Sequence, residues 1–201
     1  MTLANRITLA RIGLIPIFGG LAEAYGRSVA AGKPDEKLRR LAAATFFFAI
    51  LTDGLDGFIA RRFDQKSRLG TILDPIADKG LMLAALITLG LSRWNEGFPA
   101  WFPAVVIGRE GLVVSGYWAL KGRRRRLEVK PSAAGKAATL FELFATLAVL
   151  LGARKSTVRF LVMTASALTV TSGFGYFHNA FRKKPQIPQR ERRRRSRDVP
   201  S

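Results

Sequence analysis

The chain has 201 residues, with 33 Lys and Arg against 14 Asp and Glu, a formal net charge of +19, and 48% hydrophobic residues. It contains no cysteine and one histidine, which excludes disulfides, thiolate chemistry and a histidine metal cluster. So large a positive charge on a soluble protein would point to nucleic acid, but the apolar residues come in blocks and the basic residues fall between them, a distribution that favours a bilayer partner.

Apolar runs close to the roughly 20 residues needed to cross about 30 Å of hydrocarbon fall at about 7–25, 39–60, 70–92, 101–120, 133–153 and 156–180. The expected fold is therefore all-α, a polytopic membrane protein of six transmembrane helices. One membrane domain covers 1–182, followed by a basic, disordered tail at 183–201. The first run lacks a basic start and a small-residue cleavage site, so it is expected to remain as a helix. Between the first two runs, Asp35 to Arg40 reads as a short surface helix. The second and third runs are greasy at one end, with Phe46-Phe47-Phe48 and Leu81 to Leu91, and polar at the other. That polarity places a site near one membrane surface. Trp94, Trp101, Trp118 and His178 are expected at the membrane interfaces.

With six spans, the turn after the second, the connection after the fourth and both termini share one side. That side carries 19 Lys and Arg and the other carries eight. The positive-inside tendency then puts both termini, and the polar ends of the second and third spans, in the cytoplasm of an inner-membrane protein. Arg123 to Arg126 and the tail Arg190 to Arg197 read as anchors for anionic lipid, at about 1 kcal/mol per residue near the surface.

The feature that carries chemistry is a set of four aspartates, Asp53, Asp56, Asp74 and Asp78, inside those two runs. A carboxylate near hydrocarbon is costly unless it is paired, hydrated or metal-bound. Spacings of three and four residues put each pair on one face of a helix. Two antiparallel helices joined by a polar turn would bring the four to one pocket. Oxygen donors without His or Cys select hard ions, which points to Mg2+ or Mn2+ rather than zinc.

Written out, the segment is Asp53-x2-Asp56-Gly57-x2-Ala60-Arg61-x8-Gly70-x3-Asp74-x3-Asp78, eight fixed residues over 26 positions. It resembles the signature of the CDP-alcohol phosphatidyltransferases, and every fixed position is present. Asn5-x2-Thr8-x2-Arg11-x4-Pro16, Arg109-Glu110 and Pro131-Ser132-x2-Gly135-Lys136 extend the likeness toward the phosphatidylglycerophosphate synthase and cardiolipin synthase branch.

The resemblance implies that family's fold and CDP-diacylglycerol as the phosphatidyl donor. Two divalent cations, Mg2+ or Mn2+, would clamp its pyrophosphate. It further implies Asp53, Asp56 and Asp74 as metal ligands, and Asp78 as both metal-proximal and the base for the acceptor hydroxyl. Asp56, Gly57, Ala60, Arg61 and Gly70 would hold the CDP moiety. By analogy it implies a homodimer, and no nucleic acid as partner. The preferred acceptor is glycerol 3-phosphate, with phosphatidylglycerol, as in a cardiolipin synthase, the alternative. A cation transporter and a membrane prenyltransferase also use intramembrane aspartates and stay open as readings from other classes.

Arg109, Glu110 and Lys136 are further charges in apolar runs. They form either an ion pair tying helices together, or, for Arg109 and Lys136 with Lys130, a cationic pocket for the acceptor's phosphate. Arg11 is expected near the headgroups or bracing the site. Glu142 has no role legible in the sequence.

Overall fold

The computed structural model describes the backbone of residues 3–63, 68–94, 97–122 and 133–182, and side chains within 8–52, 77, 79–94, 97–112, 115 and 133–173. Among the described residues there are six helices and no strand: α1 Leu3–Ala30, α2 Glu36–Phe63, α3 Arg68–Leu91, α4 Trp101–Gly122, α5 Ala133–Leu150 and α6 Lys155–Arg182. Each expected apolar run is one helix. The 28 residues of α1, α2 and α6 correspond to about 42 Å at 1.5 Å per residue.

The helix ends follow from local chemistry. α1 and α5 both stop at a glycine in the left-handed region, Gly32 at φ 72° and Gly152 at φ 69°. In each case the next residue closes a six-residue ring, Lys33 N–H to Ser28 O at 3.0 Å and Ala153 N–H to Ala148 O at 2.8 Å. α2 starts just after Asp35, whose Oδ1 accepts the Lys37 backbone N–H at 2.9 Å and so caps the first turn. This corrects the expected surface helix at Asp35–Arg40: after the cap that stretch is the first part of α2, which runs unbroken through Asp53 and Asp56.

α1 packs against α2 and α3, α5 against α6, and α6 against α4; the two groups meet through α3 with α4 and through α5 with α2 and α3. Phe18 of α1 and Phe46 of α2 are fully buried, with ring centroids 5.3 Å apart. α3 and α4 run antiparallel. Near α3's C-terminal end, Phe98 N–H bonds to Leu89 O at 3.0 Å. Trp94, expected at an interface, is instead buried, its Nε1 donating to Ala22 O at 3.2 Å and its ring edge-on to Tyr25 at 4.5 Å. A large ring with one donor is well placed where that donor finds a carbonyl. Trp101 is exposed; the side chains of Trp118 and His178 lie outside the described residues.

Inside and outside are distributed unlike a water-soluble bundle. Large apolar side chains face outward on every helix, among them Ile17, Phe47, Phe48, Leu91, Leu112, Phe144 and Phe160. The interior is rich in small residues, Ala22, Ala42, Ala49, Ala85, Ala138, Ala145 and Ala165. It also takes in Thr8, Arg11, Glu142, Thr146, Thr169 and Ser172. Among the described residues one helix, Ala133–Leu150, is by length and composition alone apolar enough to cross a membrane, and Lys79–Leu91 is a shorter apolar stretch. Polar residues in the other helices lower their mean apolarity, and many of these do not need water. Thr45, Thr52, Thr164, Ser166 and Thr171 each donate to the carbonyl four residues earlier in their own helix.

Candidate functional site

Asp53 and Asp56 lie on α2 within three turns of its C-terminal end, and Asp74 and Asp78 lie on the first half of α3. α2 and α3 are in contact, so the two aspartate pairs sit on neighbouring helices. Gly57, Ala60 and Arg61 follow on α2, and Gly70 precedes Asp74 on α3. The side chains of these eight residues, the turn at 64–67, Lys130 and the tail 183–201 lie outside the described residues. Among the described residues no group of three or more His, Cys, Asp or Glu is placed to hold a metal ion.

One residue past Asp78, Lys79 pairs across helices with Glu110 of α4. The other Glu110 oxygen accepts from Arg109 Nη1 at 2.8 Å. Glu110 thus carries two cations, Lys79 half-exposed and Arg109 with a side chain only 11% exposed. Arg109 Nε is buried with no hydrogen-bond partner among the described residues. A buried donor left unmade is expensive, which marks this guanidinium as able to take a further acceptor. Of the two expected arrangements, the tie between helices is made by Glu110 with Lys79, which joins α4 to α3, whereas the Arg109–Glu110 pair lies within α4.

Deeper in the bundle, Glu142 of α5 is 3% exposed and accepts the Thr169 hydroxyl of α6 at 2.9 Å. It also interacts electrostatically with Arg109 and Glu110. The ion-paired group therefore comprises Lys79 of α3 with Glu110 and Arg109 of α4, and Glu142 of α5 is bonded separately, to Thr169 of α6. Glu142 and Lys79 escaped the sequence reading. Their partners lie 27 and 31 residues away, and only the cost of charge in an apolar run pointed to them. Lys136 is exposed on α5, six residues, or about 9 Å of helix, before Glu142. Arg11, with a side chain of its size, is 2% exposed inside the bundle on α1. Of its two expected places, burial argues against the headgroups and for bracing.

The model of one protein family, the CDP-alcohol phosphatidyltransferases, matches residues 1–172 of the chain. A CDP-diacylglycerol--glycerol-3-phosphate 3-phosphatidyltransferase from Bacillus subtilis is 37% identical over 185 residues, covering 87% of this chain and 93% of that protein. A protein of the same name from Rickettsia bellii is 31% identical over 184 residues, again 87% and 93% of the two chains. A cardiolipin synthase (CMP-forming) / mitochondrial hydrolase fusion protein from Schizosaccharomyces pombe is 45% identical, but over 76 residues, 38% of this chain and 12% of that protein.

Proposed function

The chain belongs to the CDP-alcohol phosphatidyltransferase family, and from that premise we propose that it transfers the phosphatidyl group of CDP-diacylglycerol to glycerol 3-phosphate. The products are CMP and phosphatidylglycerophosphate, and the reaction is a step of phospholipid synthesis. The observation that carries the acceptor is the near end-to-end likeness to glycerol-3-phosphate phosphatidyltransferases, against a likeness to a cardiolipin synthase over 38% of the chain. Membership of the family replaces the transporter and prenyltransferase readings.

The donor set fits divalent metal: four carboxylates from two contacting helices, with no sulfur or imidazole beside them in the motif. Asp53, Asp56, Asp74 and Asp78 would hold two Mg2+ or Mn2+ ions, which when bound neutralise the pyrophosphate and the leaving CMP. Gly57, Ala60 and Gly70 leave the helix backbones open to the cytidine nucleotide, and Arg61 pairs with phosphate. Asp78 accepts the proton of the acceptor hydroxyl as that oxygen bonds to the lipid-linked phosphorus. The bond from that phosphorus to the CMP oxygen breaks, and CMP leaves with the electron pair. Arg109, Lys136 and Lys130 hold the acceptor's phosphate. The buried, unmade donor at Arg109 Nε supports this, as does Lys136 on the same side of Glu142 as the aspartate end.

Six membrane spans are supported by the outward apolar residues on every helix and the inward polar ones. The basic excess at the aspartate end favours a cytoplasmic site and cytoplasmic termini. A homodimer follows by family analogy.

Kinetics with glycerol 3-phosphate test the acceptor reading. Arg109→Gln and Lys136→Gln should each raise the acceptor KM roughly tenfold or more, the worth of a charge-assisted hydrogen bond of about 1.5–3 kcal/mol, with the KM for CDP-diacylglycerol little changed. An unchanged acceptor KM in both variants would remove these residues from the site. Activity with phosphatidylglycerol and none with glycerol 3-phosphate would make the enzyme a cardiolipin synthase.

A further inference from the structure

At the end of the bundle away from the aspartates, a cavity of about 1090 Å³ opens between the C-terminal end of α3, residues 94 and 97–99, and the N-terminal ends of α4 and α6. Asp78 and Leu91 are 13 residues apart on α3, about 20 Å, so this space is separate from the transfer site. Its walls are aromatic and apolar, chiefly Trp94, Phe98, Trp101 and Phe160, and its rim carries Lys155 and Arg159. Among the described residues no carboxylate lines it, and Glu96, between Trp94 and Gly97 in sequence, lies outside the described residues. The nearby Glu23 carboxylate already accepts from Ser92 and Arg27.

Three observations say what fills it. First, the walls are preformed: Trp94 is tied to α1 through Ala22 O, Phe98 to α3 through Leu89 O, and Phe98 stacks edge-on with Phe102 at 4.9 Å. Secondly, Lys155 and Arg159 are one turn apart on the first turns of α6, both exposed, with Arg154 and Arg93 exposed beside them. In the proposed topology this is the outer side, where the positive-inside tendency disfavours Lys and Arg. Thirdly, the first turn of α6 adds its positive dipole end to the same rim. An aromatic slot of this size, just above the roughly 300–1,000 Å³ range of ligand pockets, under a cationic rim is complementary to an amphiphile with a phosphate head and an apolar tail.

We propose that this cavity binds an anionic phospholipid of the outer leaflet, its phosphate at Lys155 and Arg159 and its chains along Trp94, Trp101 and Phe160. The inference rests on the membrane reading but not on the identity of the acceptor. A bound lipid here seals the joint of α3, α4 and α6 and makes stability depend on the charge of the surrounding bilayer.

The chain has three tryptophans, of which Trp94 and Trp101 line the cavity. In a Trp118→Phe background, emission therefore comes from the cavity alone. The protein is reconstituted into vesicles of phosphatidylcholine containing a fixed fraction of chain-brominated phosphatidylglycerol or, separately, chain-brominated phosphatidylcholine. The expected result is stronger quenching by the phosphatidylglycerol, with a relative affinity of about tenfold or more from two cations. That preference should fall to near unity in Lys155→Gln/Arg159→Gln, while CMP release stays as in the parent. Equal quenching by the two lipids, or a preference that survives the double substitution, overturns the proposal. So does a native mass that drops from dimer to monomer in the double variant with quenching unchanged, because the occupant is then a second copy of the chain. No quenching by either lipid overturns the membrane reading together with the proposal.

Discussion

Gly90→Ala probes the joint between α3 and α4. A Cβ built on Gly90 would run into Pro103 Cγ and lie 3.3 Å from its Cδ. Carbon atoms sit favourably at about 3.5–4.0 Å, so the two helices must part by about 1 Å. Pro103 cannot yield as a flexible side chain would. Its ring is rigid, it lies in the first turn of α4, and that turn is held by Phe102 N–H to Pro99 O at 2.9 Å. Forcing a methyl into such a contact costs about 1–3 kcal/mol. Opposing this is a helical gain of up to about 1 kcal/mol for glycine to alanine, smaller near a helix end. Gly108→Ala is the control, since nothing lies within 4 Å of a Cβ there. Gly90 is one residue from the end of α3 and Gly108 is inside α4, so the helical gain is no larger at Gly90 and the comparison leaves Gly90→Ala lower by at least about 1–3 kcal/mol, a Tm gap of roughly 2–12 °C or more for a chain of this size. Thermal unfolding in detergent micelles at one scan rate measures it. Because the joint lies far from the aspartates, catalysis at low temperature should persist. A Gly90→Ala protein that melts with or above Gly108→Ala would refute the packing argument.

Thr169→Val removes the hydroxyl that Glu142 accepts at 2.9 Å and should cost about 1.5–3 kcal/mol, the range for hydrogen bonds to charged groups; Thr169→Ser should recover most of it in the same melting assay. Phe46→Ala empties a fully buried position against Phe18 and should destabilise by about 3–5 kcal/mol, seen as a lower Tm with the acceptor KM unchanged. Chelation by EDTA should abolish CMP release and Mg2+ or Mn2+ should restore it, whereas Ca2+, larger and looser in geometry, should restore much less. Release that persists in excess EDTA would remove the metal from the account.

The number and placement of the helices were legible because each is one apolar block closed by polar residues, and Gly32 and Gly152 stand where two of them must stop. The aspartate motif was legible because its spacing is local. What the sequence concealed depends on contacts between distant helices. Asp35 looked like part of a separate surface element, yet it caps the long α2. Trp94 has an interfacial composition around it, but a carbonyl of α1 draws it inside. Glu142 had no visible purpose until the Thr169 hydroxyl of α6, 27 residues away, was found bonded to it. Average apolarity also understates these helices, because it scores Thr164, Ser166 and Thr171 as polar although each hydroxyl is bonded within its own turn.

The central claim is tested most directly by CMP release from purified protein in mixed micelles with CDP-diacylglycerol, Mg2+ and glycerol 3-phosphate, set beside Asp78→Asn. The account predicts release that requires glycerol 3-phosphate and falls by about 10²–10⁴-fold in the variant, the usual contribution of a general base. Release that is undiminished in Asp78→Asn, or that occurs without any acceptor alcohol, would contradict it.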